Sequence, residues 1–79
     1  MPDLEELERM GRLGRNIRER RKAQGMTLAE LAGITGVSPG TLWTWENGKN
    51  LPHPRHRVAV VQALGLKEWT DLGKPLFSD

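Results

Sequence analysis

No cysteine occurs in the 79 residues, which excludes a disulfide framework and a thiolate metal site. Histidine is scarce. His53 and His56 are the two present, too few for a zinc site without other ligands. No apolar run approaches the roughly 18 residues of a membrane span, and no secretory leader is read at the start. These absences point to a soluble protein of a reducing, cytoplasmic compartment with no membrane role. No constellation of acid, base and nucleophile stands out either. Hydrophobic residues are 37% of the chain, enough for one core, and a core is marginal at about 70–80 residues. Little is left to preorganise a pocket. The expectation is one small domain, not an enzyme, with no cofactor and no metal.

Charge is plentiful, and it is unevenly placed. Asp3, Glu5, Glu6 and Glu8 make the first eight residues strongly acidic. Arg9, Arg12, Arg15, Arg18, Arg20, Arg21 and Lys22, against Glu19 alone, make residues 9–22 strongly basic. A nearly neutral centre follows, and then a second basic stretch with Lys49, Arg55, Arg57 and Lys67. The net charge is only +2. Two basic blocks around a neutral centre suit a polyanion gripped at both flanks of a central reader. The competing reading is a solvated surface.

The pattern is helical throughout. Asp3 and Glu6 have capping-box spacing, with Leu4, Leu7 and Met10 on roughly one face. Gly11 and Gly14 each weaken a helix by about 1 kcal/mol relative to alanine. Residues 3–10 therefore read as a separate turn or two, or a frayed extension. The next helix spans about 12–24, with Leu13 and Ile17 inward and Gly25 as its stop. Thr27 and Glu30 form a second capping box ahead of a helix over about 28–35, carrying Leu28, Leu31, Ala32 and Thr35. Ser38 caps a third helix with Pro39 at its first position. It runs to about residue 47 and stops at Gly48. Pro54 opens a fourth helix, with Val58, Val61 and Leu64 inward, ending at Gly65. Residues 67–72 give one more short turn carrying Trp69 and Leu72, which with Leu66 read as core. The domain boundaries expected are an extension over 1–11, a body over 12–72 and a tail over 73–79. No segment reads convincingly as a strand, and the fold class is an all-α bundle of about five short helices.

Thr27 to Pro52 carries the information. Two short capped helices meet at Gly36-Val37-Ser38. Gly36 permits the positive φ of a sharp turn, Ala32 permits close approach, and Val37 plugs the angle. The product is a helix-turn-helix. In the third helix Leu42 and Trp45 point inward. Gly40, Trp43, Thr44 and Asn47 share the opposite face, which would enter a major groove.

The residues Thr27, Leu31-Ala32, Gly36-Val37-Ser38, Leu42, Trp45-Glu46, Gly48 and Pro52, at their spacings, resemble the phage-repressor, Cro-like (XRE-type) helix-turn-helix family. Leu13-Gly14, Ile17-Arg18 and Arg21 resemble that family's first helix, and Ala63 to Leu66 its closing helix. The likeness covers about residues 12–66. A winged-helix protein would continue into a β-hairpin, whereas 55–64 read as helix. The resemblance implies a five-helix, lambda-repressor-like domain that binds double-stranded DNA and regulates transcription, as a repressor or Cro-like protein of a bacterial nucleoid or a phage-infected cell. It also implies a structural ion pair between Arg21 and Glu46, which could orient Arg21 toward a phosphate. By the same resemblance the start of the second helix at Thr27 and Leu28, the cap Ser38, and the loop residues Asn47, Lys49 and Asn50 meet the DNA backbone. Arg55 and Arg57 add charge beside them.

The chain departs from the family at three positions. Leu28 stands where a polar residue is usual. Pro39 and Gly40 occupy the first base-reading positions and offer no hydrogen-bonding side chain. Reading then falls to Thr41, Trp43 and Thr44, through hydroxyls, threonine methyls and an indole face. Trp43 has three open readings: against DNA, packed on a neighbouring element, or on a protein partner. Trp45 reads as core, and His53 and His56 as surface or backbone-contact residues. The alternative function is a helix-turn-helix fold used for protein contacts, such as an antitoxin-like or accessory subunit. A homodimer, or one formed only on DNA, would use Leu4, Leu7 and Met10, or Leu76-Phe77.

Overall fold

Side-chain caps set the start of every α-helix. The computed structural model describes residues 3–73, in the order α1 (Leu4–Ala23), α2 (Leu28–Thr35), α3 (Pro39–Glu46), α4 (Pro54–Ala63) and a closing 3-10 turn (Trp69–Gly73). Asp3 accepts from the Glu6 amide at 2.8 Å, Thr27 from the Glu30 amide at 3.1 Å, and Ser38 from the Thr41 amide at 3.1 Å. His53 caps α4 by accepting from the Arg55 amide through Nδ1. Each of these bonds satisfies an amide that the helix leaves orphaned.

The α1 helix differs from the sequence expectation. It runs unbroken from Leu4 to Ala23 across Gly11 and Gly14, with neither a separate first turn nor a new helix start near residue 12. Packing explains why glycine is tolerated. A Cβ at Gly14 would lie 2.3 Å from the Trp45 carbonyl oxygen and 2.6 Å from that of Glu46. The end of α3 rests directly on the backbone of α1 there, so the glycine serves contact rather than termination. Gly36, at φ 77°, ends α2 in the left-handed conformation and turns the chain into α3.

The α1 helix packs on α3 and the closing turn, and α2 packs on α3 and α4. Ile17, Leu31, Ala32, Leu42, Trp45, Val60, Leu64 and Leu72 make the shared core. Burial of such side chains contributes about 1.5–3 kcal/mol each. Besides Glu46, two uncharged polar residues are buried with partners. The Thr35 hydroxyl donates to the Leu31 and Ala32 carbonyls, and the Asn16 amide donates to the Leu72 carbonyl, tying the closing turn to α1.

The inward face of α4 is also rotated from expectation. Val58 is 65% exposed and Val60 is fully buried. Contact with both α2 and the closing turn selects the face of Val60, Val61 and Leu64. The closing turn itself starts at Trp69, later than the 67 expected. Trp69 is half-buried, with the Arg57 guanidinium 5.2 Å from its ring centroid. Leu76-Phe77 lie outside the described residues.

Candidate nucleic-acid interface

The α3 helix is only two turns long, so its direction depends on what grips its ends. Leu42 and Trp45 anchor one face in the core. At the C-terminal end Arg21 reaches across from α1. Its Nε donates to Glu46 Oε2 at 2.8 Å and its Nη2 to Glu46 Oε1 at 3.0 Å, in the two-pronged geometry that guanidinium and carboxylate favour. Its Nη1 donates to the Met26 carbonyl at 2.9 Å, just ahead of α2. One side chain thus ties together α1, the approach to α2 and the end of α3. Hydrogen bonding to Glu46, helped by the carboxylate's charge, raises Arg21 above its already high ordinary pKa, against the opposing cost of burial.

The opposite face of α3 carries Pro39, Gly40, Thr41, Trp43 and Asn47, all exposed, with Thr44 half-buried. Trp43 is 49% exposed, so it is not packed away under a neighbouring element. The short polar side chains fold back on their own helix. Ser38 donates to the Thr41 hydroxyl at 3.0 Å, and Thr44 donates to the Thr41 carbonyl at 2.6 Å. Asn47 donates to the Trp43 carbonyl at 2.9 Å. Near Gly40 a Cβ would meet nothing closer than the Ser38 hydroxyl at 3.9 Å, so this end of the helix is open to close approach.

Flanking that face are the groups expected to meet a backbone. Lys49 and Asn50 are exposed in the loop after α3, and Arg55 is exposed in the first turn of α4. At the start of α2 the Thr27 amide donates to Glu30 Oε1 at 3.0 Å, leaving the Leu28 and Ala29 amides as the outward donors of the first turn. The Glu30 carboxyl is held below its usual range by the Thr27 amide first and the Thr27 side chain second. Two expected surface residues lie elsewhere. Arg57 is half-buried and stacked on Trp69, so its stem and charge serve the closing turn. His56 is half-buried, its ring 5.7 Å from that of Trp45, which makes it part of the packing beneath α3. Among the described residues no group of His, Cys, Asp or Glu is placed to hold a metal ion. None of their helices is long and apolar enough to cross a membrane.

Several contacts carry no mark in the sequence. The Met26 carbonyl is a backbone acceptor, and the approach of Gly14 to Trp45 and Glu46 joins residues far apart in the chain. A small residue on the face shared with Ile17 is the one signal that could have suggested it.

Comparison with known proteins agrees with this geometry. The family model described as "Helix-turn-helix domain" matches residues 12–69. Two crystal structures of the clp gene regulator ClgR from Corynebacterium glutamicum superpose on the chain. One is 35% identical, with a TM-score of 0.72 over 80% of this chain and 66% of that one. The other is 34% identical, with a TM-score of 0.73 over 81% of each. The endothelial differentiation-related factor 1 homolog of Gallus gallus is 33% identical over 61 residues, which are 76% of this chain and 41% of that protein. The chain thus spans about two fifths of the curated relative it matches.

Proposed function

The chain belongs to the helix-turn-helix domain family, and from that membership we propose that it is a DNA-binding transcriptional regulator that lays α3 in a major groove. The observation that carries this reading is the outward face of α3, held rigidly from behind by Leu42, Trp45 and the Arg21–Glu46 pair and flanked by Lys49, Asn50 and Arg55. Resemblance to a clp gene regulator supports it. Thr41, Trp43 and Thr44 touch base edges, and Pro39 and Gly40 let the helix end approach closely. Asn47, Lys49, Asn50, Arg55, Ser38 and the Thr27–Leu28 helix start hold the backbone, where contacts position the protein without reading sequence. Two copies would occupy half-sites about one helical turn apart. The mode is that of a repressor or Cro-like protein of the XRE type.

A second reading has its own support. The hydroxyls of Thr41 and Thr44 are engaged locally, which leaves Trp43 as the most prominent group on this face. An exposed tryptophan also suits a protein partner. Trp43→Ala separates the two. Under the DNA reading, the variant keeps its melting temperature, loses about 1–3 kcal/mol of specific affinity, and retains salt-sensitive binding to random duplex. Equal specific affinity in wild type and variant by fluorescence anisotropy would give Trp43 to a protein partner.

A further inference from the structure

The outward face of α3 spends most of its hydrogen-bonding capacity on its own helix. The Thr44 hydroxyl donates to the Thr41 carbonyl, the Thr41 hydroxyl accepts from Ser38, and the Asn47 side-chain amide donates to the Trp43 carbonyl. Pro39 and Gly40 bring no hydrogen-bonding side chain. The one charged residue of α3 is Glu46, buried in its pair with Arg21. The face therefore has no arginine or lysine to read guanine, and its side-chain amide is folded back rather than open to pair with adenine. What it presents is carbon. The Trp43 indole is half exposed, and Thr41 and Thr44 each add a methyl group. One turn before Trp43 and Thr44, Gly40 has no side chain to hold a groove wall away from the indole.

We infer that α3 reads methyl groups. The apolar group that a base edge offers in the major groove is the C5-methyl of thymine. Uracil is thymine without that methyl, and 5-methylcytosine is cytosine with it at the same ring position. The inference rests on the DNA-binding reading above and narrows its target. The preferred duplex sets pyrimidine C5-methyl groups against Trp43, Thr41 and Thr44, whichever pyrimidine carries them. Single donors such as the indole N–H do not alter this, because the purine N7 they suit is common to adenine and guanine. Each methyl buried against this face is worth about fourfold in affinity. Cytosine methylation within a bound site therefore strengthens binding.

Selection by the full chain from a random-sequence duplex pool supplies the probe, the most enriched duplex. Fluorescence anisotropy then compares versions of it. One is unchanged, and one carries uracil for each thymine of the enriched core. One carries cytosine–guanine for each thymine–adenine pair of that core, and the last has those cytosines 5-methylated. Wild type should bind the uracil duplex about fourfold or more weakly than the thymine duplex, and the methylated cytosine duplex about fourfold or more tightly than the unmethylated one. Trp43→Ala, with unchanged helical circular dichroism, should bind the thymine and uracil duplexes alike. Thr41→Ser/Thr44→Ser removes two methyl groups, keeps both hydroxyls, and should narrow the wild-type ratio. Four results would each overturn methyl reading while leaving DNA binding intact: an enriched core without thymine, equal wild-type affinity for thymine and uracil duplexes, methylated cytosine bound no better than cytosine, or a thymine-to-uracil ratio that both variants leave unchanged. A chain that binds no duplex even at low salt would overturn the DNA-binding reading with it.

Discussion

Arg21 shows how much can hang on one side chain. Its three hydrogen bonds join α1 to the end of α3 and to the approach to α2, and the side chains of Arg21 and Glu46 are 11% and 3% exposed. Glu46→Ala leaves the guanidinium buried without its counter-charge, at roughly 3–5 kcal/mol. At about 4–8 °C per kcal/mol for a domain of this size, calorimetry should record a fall in Tm well beyond about 10 °C. An unchanged Tm would mean the pair contributes nothing. Glu30 gives the pH-dependent counterpart. Its carboxyl titrates below its unfolded value of about 4.3, through the bonds to Thr27. A depressed pKa stabilises the fold above the unfolded value, and the contribution is lost as pH falls through the folded one. Urea unfolding should therefore find wild type more stable than Glu30→Gln at neutral pH and the two converging in acid. The capping box was legible in the sequence because its partners are three residues apart. The Arg21–Glu46 pairing was reachable through family resemblance, and the bond to the Met26 carbonyl through neither route.

The continuity of α1 turns on two glycines with opposite surroundings. A Cβ at Gly11 would meet nothing within 4 Å, whereas one at Gly14 would collide with two backbone carbonyls. Helix propensity alone favours alanine by about 1 kcal/mol at either position. Gly11→Ala should therefore stabilise by up to about 1 kcal/mol. Gly14→Ala should destabilise, by about 1–3 kcal/mol or more, as overpacking does. Chemical denaturation of the two variants checks the opposite signs, and a stabilising Gly14→Ala would refute the close approach. Propensity counts the cost of glycine but not its reason, which lies in α3, and so the sequence suggested a break where none exists. The rotation of α4 was hidden for a similar cause. Val58 and Val60 are equally apolar, and only contact with α2 and the closing turn picks Val60. Helix starts, by contrast, were legible at Asp3, Thr27, Ser38 and Pro54, where the caps are local chemistry.

Across the whole molecule, charge and fold follow different rules. The all-α architecture and the helix-turn-helix were readable from caps, glycine stops and apolar spacing between Thr27 and Pro52. The sites of positive charge were readable too, but their use was not, since Arg57 turns to Trp69 while Lys49 and Arg55 stay exposed. The difference gives a graded outcome on DNA. Lys49→Ala should weaken binding to all duplexes alike and reduce the slope of log K against log salt by about 0.9 for each phosphate left unneutralised. Arg57→Ala should leave that slope unchanged and lower stability instead. Salt titrations of both variants decide it. The unbroken α1 has a further consequence, for how such a chain can evolve. Residues 4–10 belong to the same rod that lies beneath α3, so the bearing of Leu4 and Leu7 is fixed relative to the body. One residue inserted ahead of Gly11 would swing them through about 100°, and two through about 200°. Seven would return them to within about 20°, on an arm about two turns longer. Descendants of this gene can therefore gain a heptad at that point and keep the bearing of Leu4 and Leu7, while an insertion of one or two residues turns both leucines away together.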